Sequence, residues 1–448
     1  DKQCEKVEQY TYDEIDNIII SDVSYQGFAR VNNMPEKRIL TNYQYVRPDN
    51  LLYKKKPSKI TTVYTRDGAN SITQTKRYAY TPQGKISLES FNSYFKRYQY
   101  NVCGLLVAES IEDSITKKQF VYEYDTNFLH RSKTTSPTGL ISTNTADVYG
   151  NTLINTGPGN LKTYYTYDDL FRPYKIKAPD GTVSVRKAIR RGRDKQGFYV
   201  ANYVILNGNT EKSIIFNNAI HYDCLGREIR KEKVLLNGTH EHIDIFYNEK
   251  GLSEKLYSYR GKVLVNSKEM YYDNKNRIIQ EKISSPVDVG KNGKTIDYVY
   301  YDPNVRRGKK VKAVITNAST TDSIVTTIIY NRTALPVLKI ENSDSIVYQY
   351  DSADNLIKVR TVRYPTEDKY TDYGLRVSHF NNSTGKSTYE YNNFNELVKE
   401  VDGQGNKIEY AYDKEGRIIT KTTGKNTVHY IYDALTGWLK GIESLSHK

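Results

Sequence analysis

The sequence predicts an all-β protein, a long antiparallel ribbon of β-hairpins that coils into a spiral. A Tyr-x-Tyr-Asp motif recurs along most of the 448 residues, and the residues after each copy alternate and are often β-branched, as they do in strands. The chain has 42 Tyr against 11 Phe, 1 Trp and 2 Met, which does not fit a core built from Leu and Phe. The segment 185–191 is the only candidate helix.

The clearest unit is Tyr410-Ala-Tyr412-Asp413-Lys-Glu-Gly416-Arg417. Its two tyrosines point to one face of a strand, because side chains alternate with a period of two. Asp413 then opens a turn by accepting a backbone N–H, and Gly416 supplies the positive φ that the turn needs. The alternating residues after Arg417 form the return strand, so each unit is a hairpin.

The Asp or Asn of this unit recurs with a nearly constant spacing. Steps of 20 to 29 residues separate most copies, and the segments Asp194–Gly197 and Asp372–Gly374 divide the two longer gaps of 55 and 41 residues. The repeat positions predicted to build the fold are Tyr80, Tyr100, Tyr124, Asp125, Tyr167, Asp168, Tyr222, Asp223, Gly226, Arg227, Tyr247, Gly251, Tyr272, Asp273, Tyr301, Asp302, Tyr330, Tyr350, Asp351, Tyr391, Tyr412, Asp413, Gly416, Arg417, Tyr432 and Asp433.

Some units replace the glycine of the turn. Asn276 and Asn395 tolerate the left-handed conformation, whereas Phe128 and Phe171 do not adopt it easily. The turns at the two phenylalanines are therefore expected to be longer or differently shaped.

The number of hairpins requires the ribbon to coil. Two strands per unit give about 30 to 40 strands, and an open twisted sheet rarely exceeds about 10. Successive tyrosines then stack into ladders on one face. The second tyrosine of each unit, as in Tyr350, Tyr391, Tyr412 and Tyr432, is expected to be largely buried there.

These motifs resemble the YD-repeat, or Rhs-repeat, family, found in bacterial Rhs toxins, insecticidal toxin complexes and animal teneurins. The stretches Tyr167–Arg172 and Tyr222–Arg230 carry the resemblance closely. It covers residues 76–448 as one continuous array and residues 1–75 only as a divergent β segment at its start. The resemblance implies a large hollow shell that encloses a C-terminal payload. A closing core segment and a toxin domain are not recognisable here, so the expectation is a shell segment from within a longer array.

Other chemistry has weaker support in the residues. The net charge is +14, but the basic residues alternate with Thr, Ser and Glu at strand spacing, so nucleic acid is not an expected partner. Cys4, Cys103 and Cys224 share no metal-ligand spacing, and the pair His240 and His242 lacks a recognisable third ligand. We therefore predict no catalytic residue, no cofactor, no metal site and no membrane span, and expect that the chain is not an enzyme.

The resemblance implies a structural wall that shields a C-terminal effector of a larger toxin before delivery. The alternative is an extracellular adhesion or carbohydrate-binding array without cargo. Expected partners are the other segments of the parent polypeptide (the closing core and the effector), another copy of the chain, or a secretion-apparatus or immunity protein. The expected location is secreted or at the bacterial cell surface, after export by a dedicated secretion system. The last strands are expected to lie against further protein.

Overall fold

The computed structural model describes residues 5–26, 37–45, 55–66, 68–127, 130–190, 198–205, 214–235, 237–285, 293–301, 310–317, 323–331, 333–361 and 364–446. The strands form a single sheet of 36 members. In chain order they are β1 (Glu5–Tyr12), β2 (Ile18–Gln26), β3 (Lys37–Tyr45), β4 (Pro57–Arg66), β5 (Ile72–Tyr80), β6 (Ile86–Ser90), β7 (Phe95–Tyr100), β8 (Leu106–Glu112), β9 (Lys117–Tyr124), β10 (Arg131–Thr135), β11 (Ile141–Ala146), β12 (Thr152–Gly157), β13 (Leu161–Tyr167), β14 (Pro173–Lys177), β15 (Val183–Arg190), β16 (Phe198–Ile205), β17 (Ile214–Tyr222), β18 (Glu228–Val234), β19 (His240–Tyr247), β20 (Ser253–Arg260), β21 (Val263–Tyr272), β22 (Ile278–Ser284), β23 (Lys294–Tyr301), β24 (Lys310–Asn317), β25 (Ser323–Tyr330), β26 (Pro336–Glu341), β27 (Asp344–Tyr350), β28 (Leu356–Arg360), β29 (Thr366–Tyr370), β30 (Arg376–Asn381), β31 (Gly385–Tyr391), β32 (Leu397–Val401), β33 (Lys407–Tyr412), β34 (Ile418–Thr423), β35 (Asn426–Tyr432) and β36 (Leu439–Ser446).

Each strand pairs antiparallel with the next one in sequence, so the chain is one continuous meander, as β1 with β2 and β35 with β36 illustrate. The predicted all-β ribbon is confirmed. The segment 185–191 is not a helix, because its first six residues lie in β15 and pair with β16. Among the described residues the one helical element is a 3₁₀ turn, Pro158–Asn160, and no helix there has the length and hydrophobicity needed to cross a membrane.

A β-bulge accompanies the second tyrosine of most units. Tyr412 pairs with Ile418 whereas Ala411 pairs with Thr420, which leaves one residue of the return strand without a partner. The same shift precedes the last residue of many other odd-numbered strands, for example at Tyr80, Tyr100 and Tyr432. Because a bulge increases the local twist, its repetition helps to bend the ribbon into a coil.

The turn after the second tyrosine has a constant geometry. The Asp413 N–H donates to the Arg417 carbonyl at 3.0 Å and the Gly416 N–H donates to the Asp413 carbonyl at 3.1 Å, with Gly416 at φ +80°. We call this connection, present at the corresponding ends of the hairpins, the YD turn. The YD turns among the described residues lie at one edge of the ribbon, because each joins an odd-numbered strand to the following even-numbered one. The remaining connections lie at the opposite edge.

The expectation of a different turn at Phe171 is wrong. Phe171 adopts φ +58° and keeps the usual turn, since its N–H donates to the Asp168 carbonyl at 2.9 Å. Its ring packs on Tyr149 of the preceding YD turn, with centroids 5.0 Å apart, which helps to offset the strain. The turn at Asp125 is one residue longer, as its N–H bonds to His130, and Phe128 lies outside the described residues.

The ribbon has almost no core. Seven hydrophobic residues are buried among those described, namely Ile72, Ala108, Tyr122, Val183, Ala201, Ala219 and Met270. The accessible surface is 28911 Å², against about 17,000 Å² for a compact monomer of this mass. Tyr350, Tyr391, Tyr412 and Tyr432 are half-buried rather than largely buried, because a single-layer sheet has no second layer to cover them.

Candidate functional site

The carboxylate of the YD turn organises the hydrogen bonds that recur from unit to unit. Oδ1 of Asp413 accepts the N–H groups of Glu415 and Arg417 at 2.8 and 3.0 Å, and Oδ2 accepts Nε of Arg417 at 2.7 Å. The guanidinium of Arg417 lies 4.3 Å from the ring centroid of Tyr432 in the next unit. One aspartate therefore holds its own turn and orients an arginine that contacts the neighbouring hairpin.

This arrangement recurs along the ribbon. Arg227 binds Asp223 and lies over Tyr247 at 4.6 Å, and Arg277 binds Asp273 and lies over Tyr300 at 4.4 Å. Where the arginine is missing, an asparagine donates to the same carboxylate oxygen, as Asn355 does to Asp351, Asn151 to Asp147 and Asn17 to Asp13.

The second tyrosine locks adjacent units together through its hydroxyl. In twelve units it donates to a carbonyl at the start of the preceding return strand, at 2.5–3.0 Å. The donors are Tyr45, Tyr80, Tyr100, Tyr124, Tyr167, Tyr247, Tyr272, Tyr300, Tyr350, Tyr391, Tyr412 and Tyr432. We call this set the tyrosine ladder. Burial raises the pKa of Tyr412, so its hydroxyl remains a donor at neutral pH.

Two assignments of repeat positions need correction. Tyr300, not Tyr301, belongs to the tyrosine ladder, since its hydroxyl donates to the Ile278 carbonyl at 2.8 Å. Tyr301 is the last residue of β23 and pairs with Lys310 of β24. The turn predicted to begin at Asp372 begins one residue earlier, at Thr371, because the Thr371 N–H donates to the Leu375 carbonyl. Asp302 and the segment 194–197 lie outside the described residues. Tyr222 and Tyr330 end β17 and β25 at the expected phase.

Folding lowers the pKa of several turn aspartates below the ordinary range. The guanidinium and the backbone N–H of Arg172 lower the pKa of Asp168. The side chain of Asn406 does the same for Asp402. At Asp413 burial raises the pKa, but the N–H groups and the guanidinium around it lower it by more. The hydrogen bonds within these turns thus stabilise the ionised form of the carboxylate.

Stability is therefore expected to fall at acid pH. A carboxylate whose pKa is lowered by folding stabilises the protein above its unfolded-state pKa, near 3.9, and this contribution is lost as the pH falls through the folded-state value. We expect the melting temperature to drop below about pH 4, and the Asp168→Asn variant to show a smaller drop. Equal melting temperatures at about pH 5 and pH 2.5 would contradict this account.

A second set of contacts joins parts of the chain that lie 277–317 residues apart. The YD turns at residues 351–355, 371–375, 392–396, 413–417 and 433–438 meet the opposite edge of the ribbon within residues 37–160. We call this contact the inter-turn seam. It shows that the ribbon completes a circuit and that the second turn of the coil rests on the first.

The most buried part of the inter-turn seam is an ionic cluster. Asp354 binds both Lys37 and Arg66, whose side chains are only 5% and 4% exposed. Beside it, the fully buried Ser352 donates to the Asn70 carbonyl at 2.7 Å. Two cations from β3 and β4 therefore depend on one carboxylate that arrives from the next turn of the coil.

Further along the inter-turn seam, carboxylates of two later YD turns again accept hydrogen bonds from the earlier edge of the ribbon. Glu396 accepts Lys118 at 2.5 Å, and the ammonium of Lys118 lies 4.4 Å from the ring centroid of Phe394. Glu415 accepts the hydroxyl of Ser136 at 2.5 Å and also that of Thr138.

At its far end the inter-turn seam is a close steric contact. A Cβ added at Gly437 would lie 2.6 Å from Cδ1 of Leu140. The backbone of the last YD turn therefore lies close against the side chain of Leu140 at this point. The later YD turns supply the carboxylates Asp354, Glu396 and Glu415 to cations and hydroxyls of the earlier edge. Elsewhere in the seam the later turns donate, as Ser352 does to the Asn70 carbonyl and Asn393 to the Asp113 carboxylate.

The other candidate side chains lie apart from one another. His242 stacks on Tyr259 with centroids 4.6 Å apart, and His240 is exposed. Cys103 and Cys224 are exposed and free in YD turns, and Cys4 lies outside the described residues. Within the described part of the chain, no three His, Cys, Asp or Glu side chains are placed to hold a metal ion.

No protein-family model matches the chain, and no curated protein matches it. Among solved structures it is similar to the crystal structure of TcdB2-TccC3-TEV, with a TM-score of 0.45 and 9% identity over 97% of this chain and 40% of that one. For TcdB2-TccC3 without its hypervariable C-terminal region the values are 0.44, 9%, 96% and 39%. For the Photorhabdus luminescens Tc holotoxin pore they are 0.34, 10%, 94% and 25%. These neighbours are Tc toxin components, and the chain spans less than half the length of their chains.

The inter-turn seam could not be found from the sequence, although its residues occupy recognisable positions. Asp354 stands at the glycine position of its turn with φ +71°, an unusual choice that favours a role for its side chain. Nothing local in the sequence indicates that its partners lie near residues 37 and 66.

Proposed function

We propose that the chain is a wall segment of a larger Rhs-type toxin and that it encloses and shields a C-terminal effector before delivery. The observation that carries the proposal is the inter-turn seam, because a ribbon that meets itself edge to edge surrounds a space. The YD turn between β27 and β28 rests on Lys37, Arg66 and Asn70, and that between β31 and β32 rests on Ser93 and Lys118. One circuit therefore takes about 24 strands.

The size of the circuit supports a container rather than a packed core. At about 4.8 Å per strand, 24 strands give a circumference of about 115 Å and a diameter of about 37 Å. Sheets closed by 16 or more strands are too wide for their side chains to fill and leave a channel. The scarcity of buried hydrophobic residues in the described part of the chain fits such a wall.

This role assigns the wall no chemistry of its own. Carboxylates at the YD turns are engaged in turn hydrogen bonds and ion pairs, as at Asp413 and Asp223. Under the proposal the partners are the effector and the closing segments of the parent polypeptide, and the location is secreted or at the bacterial cell surface.

Protease protection tests the proposal. A flexible reporter peptide with one protease site is fused after Lys448, and its cleavage is compared with that of the same fusion carrying Asp354→Asn and Glu396→Gln, which weaken the inter-turn seam. We expect cleavage to be at least about tenfold slower in the unmodified wall, because the protease must wait for the wall to open. Equal cleavage rates in the two fusions would contradict a shielding role.

A further inference from the structure

A groove of about 520 Å³ crosses the middle of the sheet from β16 to β20. It lies on the face that carries the tyrosine ladder, because Glu241 and Ile243 have the same phase in β19 as Tyr247. Its two walls are rows of side chains that lie opposite one another on neighbouring strands. The first row, which we call the polar wall, is Asn202, Asn218, Lys233, Glu241 and Arg260, and the second, the isoleucine wall, is Ile220, Lys231, Ile243 and Ser258.

At one end of the polar wall a single carboxylate positions two cations. Glu241 accepts Nζ of Lys233 at 3.0 Å and Nε of Arg260 at 2.9 Å, and these contacts lower the pKa of Glu241. The carboxylate side chain is 19% exposed, whereas those of Lys233 and Arg260 are 52% and 66% exposed. Two cations on one carboxylate leave a positive charge in excess. In the described contacts Arg260 uses only its Nε, so its two terminal nitrogens remain to bind a carboxylate.

The other end of the polar wall is a pair of amides. Nδ2 of Asn202 donates to Oδ1 of Asn218 at 2.9 Å. This bond uses one N–H of Asn202 and one lone pair of Asn218, so the described contacts leave the oxygen of the first and the amino group of the second for an outside partner. A carboxamide offers a donor and an acceptor together, which is the combination that a peptide group requires.

The isoleucine wall adds an apolar surface along the same groove. Ile220 and Ile243 stand on either side of Lys231, which is itself paired with Glu228 at 2.6 Å. From β16 to β20 the groove extends over four strand spacings of about 4.8 Å, or about 19 Å, the length of about six extended residues. Because side chains alternate along an extended chain, a peptide in the groove directs one set of side chains to each wall.

We propose that this groove binds a short extended peptide segment in which acidic and apolar residues alternate. Its carboxylates pair with Lys233 and Arg260, and the asparagine pair bonds to one of its peptide groups. Its apolar side chains pack on Ile220 and Ile243. The segment lies across the strands and adds no strand to the sheet, so the site needs no free sheet edge. It also does not depend on the encapsulating role.

Fluorescence anisotropy of a dye-labelled hexapeptide, Glu-Leu-Glu-Leu-Glu-Leu, tests the proposal on the full chain. We expect saturable binding of one peptide per chain with a Kd below about 1 mM. The same peptide with Lys in place of each Glu should bind at least about tenfold more weakly, because it opposes the excess positive charge. Arg260→Gln in the polar wall and Ile243→Asp in the isoleucine wall should each weaken binding of the acidic peptide at least about fivefold.

The matched control is Arg97→Gln. Arg97 and Lys117 share Glu112 as Arg260 and Lys233 share Glu241, but Arg97 lies on the opposite face of the ribbon from Tyr100. This variant should bind the acidic peptide unchanged, and circular dichroism confirms folding of each variant. No saturation at about 1 mM, equal affinity for the two peptides, full affinity in Arg260→Gln or equal weakening by Arg97→Gln would each overturn the proposal.

Discussion

Replacing Asp354 with asparagine is expected to open the inter-turn seam while the hairpins stay folded. Lys37 and Arg66 share this carboxylate and are 5% and 4% exposed. Removing one member of a buried ion cluster costs about 3–5 kcal/mol, and because Asp354 itself is 32% exposed we expect the lower end, about 3 kcal/mol. Asparagine tolerates the left-handed conformation at this position, so the change removes the charge and keeps the turn.

Hydrogen exchange measures this effect locally. Amides around residues 66–72 and 351–355 should exchange about 100-fold faster in Asp354→Asn, while those of the interior hairpins keep their protection. Asp16→Asn is the matched control, since Asp16 holds the same turn position with φ +61° and is exposed. Equal protection in the two variants would show that the ionic cluster does not hold the inter-turn seam.

Replacing Tyr412 with alanine is expected to destabilise the array by about 3 kcal/mol, near the lower end for an aromatic side chain. The side chain is half-buried and its hydroxyl donates to the Leu397 carbonyl at 2.6 Å. Its removal takes away both the ring that covers the preceding hairpin and one bond of the tyrosine ladder. Tyr412→Phe keeps the ring and should cost about 1 kcal/mol.

Urea unfolding followed by far-ultraviolet circular dichroism compares these variants. Tyr364→Ala is the control, because Tyr364 is 60% exposed outside the tyrosine ladder and an exposed substitution changes stability by about 0.5 kcal/mol or less. If Tyr412→Ala and Tyr364→Ala unfold at the same urea concentration, the tyrosine ladder contributes nothing measurable to stability.

The fold was predictable because its information is local. The phase between the second tyrosine and the turn residue is constant, as at Tyr412 and Asp413, and a strand followed by a turn at that spacing has few alternatives to a hairpin. The degree of burial was overestimated for Tyr350 and its equivalents, since sequence periodicity identifies a shared face but not what covers it.

The candidate site was less predictable because its contacts join residues that are far apart in the sequence. The inter-turn seam joins residues such as Asp354 and Lys37, which are 317 positions apart, and their meeting depends on how many strands complete a circuit. That number follows from twist and bulges summed over the ribbon, which no single motif encodes.

At Phe171, the expectation from backbone preference failed because the contact with Tyr149 and the turn hydrogen bonds outweigh the strain.

Small-angle X-ray scattering from the monomeric fraction tests most directly whether the ribbon coils upon itself. A circuit about 37 Å across, two strand lengths high, predicts a maximum dimension of about 75 Å. An uncoiled ribbon of the same 36 strands would extend to about 170 Å. A maximum dimension near the smaller value, increasing in Asp354→Asn, is the result that this account predicts. A value near the larger one for the unmodified chain would contradict it.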